Sequence, residues 1–79
     1  MYHIIQDPNE LDYIVFLEIH GKFYHDPTLS LWSKSISGAL KGASFANWSR
    51  DDVSPIWFDK IIYSSPILPT VDTHPELFL

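Results

Sequence analysis

Glu18, His20 and His25 are the residues whose types and spacing come nearest to a reaction centre. Two imidazoles and one carboxylate form a ligand set that a transition metal accepts with coordination positions left open. The three meet if Gly21-Lys22 forms the turn of a hairpin. His20 then faces Phe23, Glu18 faces His25, and all four side chains share one sheet face. A register slip of one residue separates them again. Histidines beside a hairpin turn are more commonly just exposed polar residues, so no metal or cofactor is assigned to them. His3 and His74 have no neighbours that extend the cluster.

Other chemistries find less. Asp51 and Asp52, with Asp59 nearby in sequence, are paired carboxylates. Acid–base work by such a pair needs a cleft that perturbs their protonation, and a solvated loop is the simpler reading in so short a chain. There is no cysteine, and no serine lies in a Gly-x-Ser-x-Gly elbow, so nucleophilic catalysis has no motif. Three glycines do not make a phosphate-binding loop. Five basic residues against ten acidic ones offer little neutralisation of a phosphate backbone, which argues against direct binding of nucleic acid.

These residues must be positioned by a small framework. The 79 residues fit one domain, 1–79, which buries only about 60% of its unfolded surface. Disulfides and Cys-based zinc sites are excluded, so stability must come from elsewhere. One source is the aromatic load of three Trp, four Tyr and five Phe, each ring removing roughly 150–250 Å² from water when buried. The other is a partner that covers apolar surface a small core cannot hide.

The elements read as follows. Tyr2 to Ile5 is β-prone, and Asp7-Pro8-Asn9-Glu10 breaks it. Leu11 to His20 alternates, with Leu11, Tyr13, Val15, Leu17 and Ile19 on one face and an even face apolar only in the middle. That suits a central strand. Gly21 marks a hairpin turn, and Lys22 to His25 returns as the next strand. A helix follows, capped by Thr28 or Ser30, with Leu29, Trp32, Ile36, Ala39, Leu40 and Ala43 on its apolar side and Gly42 as its stop. Gly38 inside it either permits close packing or is merely tolerated. Ser49 to Asp52 reads as a short helical turn. Residues 56–63 are assigned to a strand on their aromatic and β-branched content, with a helix after Ser54-Pro55 as the alternative. Three prolines make 65–79 an extended, irregular tail whose apolar end packs on its own domain or on a partner.

The expected architecture is α+β: an antiparallel sheet of three to four strands, one amphipathic helix across it, and a Pro-rich C-terminal tail. Charge divides the chain in three. Residues 1–29 carry five acids against Lys22, residues 30–50 carry Lys34, Lys41 and Arg50 with no acid, and residues 51–79 carry five acids against Lys60. Such asymmetry steers partners, although it also serves plain solubility.

The expected function is a non-catalytic protein-interaction module. It docks on a larger protein or protein complex and inhibits or modulates it, in the manner of small inhibitor, immunity or accessory proteins. Trp48, Asp51, Asp52 and Asp59 are the expected contact residues, Trp being a favoured interface anchor. One alternative is an oligomeric metal-dependent or acid–base enzyme using Glu18, His20 and His25. Another is a structural subunit of a larger assembly, and a homo-oligomer is a further possibility. No signal sequence or long apolar run is visible, so the expected location is the cytoplasm, away from membranes.

Overall fold

The apolar run in residues 13–19, buried at consecutive positions Ile14, Val15 and Phe16, organises the structure. The computed structural model describes residues 1–25, 32–46, 48–50 and 59–78, with the backbone alone for His25, Ser49 and Arg50. The strands are β1 (Tyr2–Gln6), β2 (Tyr13–Ile19), β3 (Lys22–His25), β4 (Ser49–Arg50) and β5 (Ile61–Ser65). Among the described residues, one helix, α1 (Ile36–Ser44), lies between β3 and β4, and a 3-10 turn covers Pro75–Phe78. The strands form one antiparallel sheet in the order β4-β3-β2-β1-β5. Four of these strands have ordinary length, and β4 adds a two-residue edge. The fold is α+β, with β2 at the centre of the sheet, as apolar residues on both of its faces suit.

Because β2 is central, both of its faces are covered. Val15 joins Ile4, Ala39, Leu40 and Ala43 in a cluster beneath α1. Ile14 and Phe16 join Ile5 and Phe23 on the opposite face, with Trp32 and Ile61 packed against them. Period-2 alternation thus divides the apolar residues of β1 and β2 between two small cores. The C-terminal segment completes the first core, since Leu68, Leu77 and Phe78 all pack against it. The apolar end of the chain therefore packs on its own domain through Leu77 and Phe78. It reaches there through a 3-10 turn, which the tail reading did not include.

The helix begins later than its periodicity suggests. Ser33 exchanges two backbone hydrogen bonds with Tyr13, at 2.7 and 2.9 Å, as an isolated β-bridge. That pairing holds the chain out of helix at Ser33. Ser35 then caps α1, its Oγ accepting from the Gly38 N–H at 3.0 Å. Trp32 consequently lies outside the helix and packs on the opposite sheet face. Thr28, Leu29 and Ser30 lie outside the described residues. Gly42 does not stop the helix, which runs to Ser44 with Phe45 as C-cap in right-handed geometry. Gly38 has a specific reason to be glycine: a Cβ there would collide with the Ser33 side chain and come within 2.9 Å of the capping Ser35 Oγ.

Two further expectations need correction or division. Ser49 and Arg50 form β4 and not a helical turn; Asp51 and Asp52 lie outside the described residues. Of residues 56–63, the last three are strand as expected, Asp59 and Lys60 form a 3-10 turn, and 56–58 lie outside the described residues. β5 pairs with β1 through a bulge, since Ile4 faces Tyr63 and Ile5 faces Ile61, leaving Ile62 as the extra residue.

Candidate functional site

The hairpin between β2 and β3 decides which polar groups meet. Its two turn residues are His20 and Gly21, both with positive φ, at 52° and 77°. Adjacent left-handed residues are what a tight two-residue hairpin turn requires. The turn therefore sits one residue earlier than Gly21-Lys22. Ile19 pairs with Lys22, Glu18 with Phe23, and Leu17 with Tyr24. His20 is exposed at the tip, and His25 lies two residues beyond the position opposite Glu18. The Glu18–His20–His25 arrangement is thus not formed. Among the described residues, no three His, Cys, Asp or Glu side chains converge as a metal site.

Glu18 instead meets a histidine that sequence proximity did not suggest. His3 sits on β1 opposite Phe16, and Ser64 sits on β5 opposite His3. His3 Nε2 lies 2.7 Å from Glu18 Oε1, and His3 Nδ1 lies 2.7 Å from Ser64 Oγ. A carboxylate accepts and cannot donate, so in the neutral ring Nε2 carries the proton and Nδ1 is left to accept from the Ser64 hydroxyl. His3 is 8% exposed and its ring stacks on Phe23 with centroids 5.9 Å apart and planes inclined by 30°. Three strands thus place carboxylate, imidazole and hydroxyl in one line, with a buried ring at the centre and an exposed hydroxyl at one end.

A second feature lies on the other side of the sheet. An open groove of about 440 Å³ runs between α1 and the C-terminal segment, lined by Leu40, Lys41, Leu68, Pro69, Val71 and Phe78 together with serine and threonine hydroxyls. Local hydrogen bonds shape its outer wall. The Thr70 N–H donates to Thr73 Oγ1 at 3.0 Å, the Thr73 N–H donates to Thr70 Oγ1 at 3.3 Å, and the His74 N–H donates to the Thr70 carbonyl at 2.8 Å. His74 meets the ring of Tyr63 edge-on at 5.9 Å. Val71 is carried at the turn those bonds close and is 60% exposed. At the end of α1, Phe45 is 74% exposed.

The contact residues expected from sequence fall in different places. Trp48 is half-buried, packs against the core beneath α1 and tilts over Tyr2 with centroids 6.1 Å apart. Asp59 is exposed and pairs with its neighbour Lys60 at 3.4 Å. Trp48 precedes β4 and Asp59 leads into β5, and these strands are opposite edges of the sheet. Of the basic residues in the middle of the chain, Lys34 Nζ pairs with Asp12 Oδ1 at 2.7 Å. That carboxylate, by hydrogen bonding and by charge attraction, raises Lys34 above the ordinary lysine value. Lys41 is the one charged residue lining the groove among the described residues.

No protein-family model matches the chain, no curated protein matches its sequence, and no solved structure matches its fold. No helix among the described residues is long and apolar enough to cross a membrane.

Proposed function

We propose that the protein works by docking on a larger protein or protein complex and adjusting its activity, with the groove between α1 and the C-terminal segment as the principal contact. The observation that carries this reading is the groove itself. It is apolar, open, and within the volume range of ordinary binding sites. Its rim exposes Val71 on a turn fixed by hydroxyl hydrogen bonds, which lowers the entropy cost of engaging a partner. Lys41 adds a single cation, so the complementary surface offers an apolar side chain beside a carboxylate. Asp59 is exposed and is not part of the groove lining; with Asp51 and Asp52 it adds acidic charge to the chain that steers the encounter.

The test is affinity capture from lysate of the source cells at low and moderate salt, with the parent protein and the Val71→Glu variant as baits. Val71 is largely exposed, so the substitution spares the cores. The expected result is one near-stoichiometric partner that the variant loses. A partner retained equally by Val71→Glu moves the contact away from the groove, and Asp51→Lys/Asp52→Lys then tests the acidic surface. Absence of any retained partner overturns the binding role.

A further inference from the structure

We propose that Ser64 is a nucleophilic serine, activated by His3 and positioned through Glu18, and that it accepts an acyl group from small esters with good leaving groups. This goes beyond the binding role and rests on a different face of the molecule. It also sets aside the expectation, drawn from the absence of a Gly-x-Ser-x-Gly motif, that no serine here is a nucleophile.

An alcohol is a poor nucleophile until a neighbouring base takes its proton, and an imidazole is an effective base when its other nitrogen is held by an acceptor. Here the Ser64 hydroxyl has His3 Nδ1 at 2.7 Å, and the opposite His3 nitrogen has the Glu18 carboxylate at 2.7 Å. The roles of the two ring nitrogens are exchanged relative to the usual serine hydrolase arrangement, but the sequence carboxylate, N–H, lone pair, O–H is the same. The ring cannot turn away easily, because it is buried and stacked on Phe23. Both hydrogen bonds lie beside an apolar cluster, where polar interactions are stronger than in water. Ser64 itself is exposed, so an acyl donor can reach it. Its neighbour Ser65 is 3% exposed, and strand alternation puts it on the other face.

The reaction balances without a further reagent. Ser64 Oγ attacks the carbonyl carbon as its proton passes to His3 Nδ1. An O–C bond forms, the bond from that carbon to the alkoxy oxygen breaks, and the departing alcohol takes the proton from His3. Water then repeats the sequence on the acyl-serine, releasing the acid and restoring the hydroxyl. General-base assistance of this kind is worth roughly 10²–10⁴ in rate. Slow, site-selective acylation is therefore expected, not rapid turnover.

A fluorophosphonate probe reports the first half of this chemistry, forming a P–O bond to the serine and releasing fluoride with the proton. Intact-mass and peptide mapping of the parent protein should find the label on Ser64 in preference to the other eight serines. Ser64→Ala should abolish it. Glu18→Gln should slow labelling about tenfold or more while circular dichroism stays native, and ¹⁵N NMR of the His3 ring should show a changed proton distribution between the two nitrogens. His3→Gln should slow it further, and if that variant does not fold, Glu18→Gln still decides. Labelling no faster than the Ser64→Ala background overturns the proposal, as does labelling at Ser64 that Glu18→Gln leaves unchanged. In either case the line serves only to satisfy a buried imidazole.

Discussion

Replacing Gly21 by Ala isolates one contribution to the fold. Gly21 holds φ of 77°, is exposed, and has nothing within 4 Å of the position where a Cβ would stand. The substitution therefore adds no clash with a neighbour and opens no cavity. What it adds is the cost of a left-handed backbone for an L-residue, about 1–2 kcal/mol. Restricting the unfolded chain offsets part of this, by roughly 0.4–1 kcal/mol. The net loss expected is about 1 kcal/mol. With a urea m-value of about 1 kcal/mol/M for a domain of this size, the unfolding midpoint should fall by about 1 M at constant m. His20 supplies the opposite sign. It occupies φ of 52°, where Asn is a better residue, and Asn-Gly is the favoured pair for this turn. His20→Asn should raise the midpoint by a few tenths of a molar, taking a gain of a few tenths of a kcal/mol. If Gly21→Ala leaves the midpoint unchanged or raises it, the two-residue turn is not what sets the β2–β3 register. The pairing of Glu18 with Phe23 would then need another cause.

Two other outcomes test the packing and the charges. Leu40 is 2% exposed at the centre of the core beneath α1, so Leu40→Ala should cost about 2–5 kcal/mol, a large share of what so small a domain has; near-native stability in chemical denaturation would place the helix elsewhere. The Lys34–Asp12 pair should make stability fall at high pH. Because the folded-state value of Lys34 is raised above 10.5, its contribution is fully present below that pH and is lost as pH rises through the higher folded value. The urea midpoint of the parent should therefore converge on that of Lys34→Met above about pH 10.5, by a small amount because the lysine is exposed.

The parts of the fold legible in the sequence are those fixed by short-range pattern. The run Leu11 to His20, apolar at every odd position and at Ile14 and Phe16 on the even face, identified a central strand, of which 13–19 form β2, because a strand covered on both faces needs apolar residues at both parities. Gly21 announced the hairpin, and the Asp7 region announced the preceding turn, where Asp7 Oδ1 accepts from the N–H groups of Asn9 and Glu10 at 2.8 and 3.2 Å. The start of the helix was not legible. Leu29 and Trp32 continue the 3.6-residue pattern backwards, and nothing local says that Ser33 will pair with Tyr13, twenty residues earlier. A long-range backbone bridge there overrides the periodicity at Trp32. Gly42 misled in a similar way: a glycine marks a helix end only when the chain needs left-handed geometry, and here Phe45 closes the helix without it.

The polar line was hidden for a sharper reason. His20 and His25 attract attention because they stand close to Glu18 in sequence, whereas contact in a sheet is set by register. With the turn at His20-Gly21, β3 offers Glu18 a phenylalanine, and the imidazole arrives from β1, fifteen residues away. Ser64 arrives from sixty-one residues away, and only because β5 returns to the outer side of β1 after the helix. One sign of the site was present all the same. His3 falls at alternate spacing with Ile5 in a β-prone run, and the β1–β2 register then puts both on the face that carries Glu18. A histidine in such a run is buried or nearly so, and a buried imidazole requires a partner at each nitrogen. Asking where those two partners come from leads to a carboxylate and a hydroxyl on the neighbouring strands. That requirement, more than any motif, is what brings Ser64, His3 and Glu18 together.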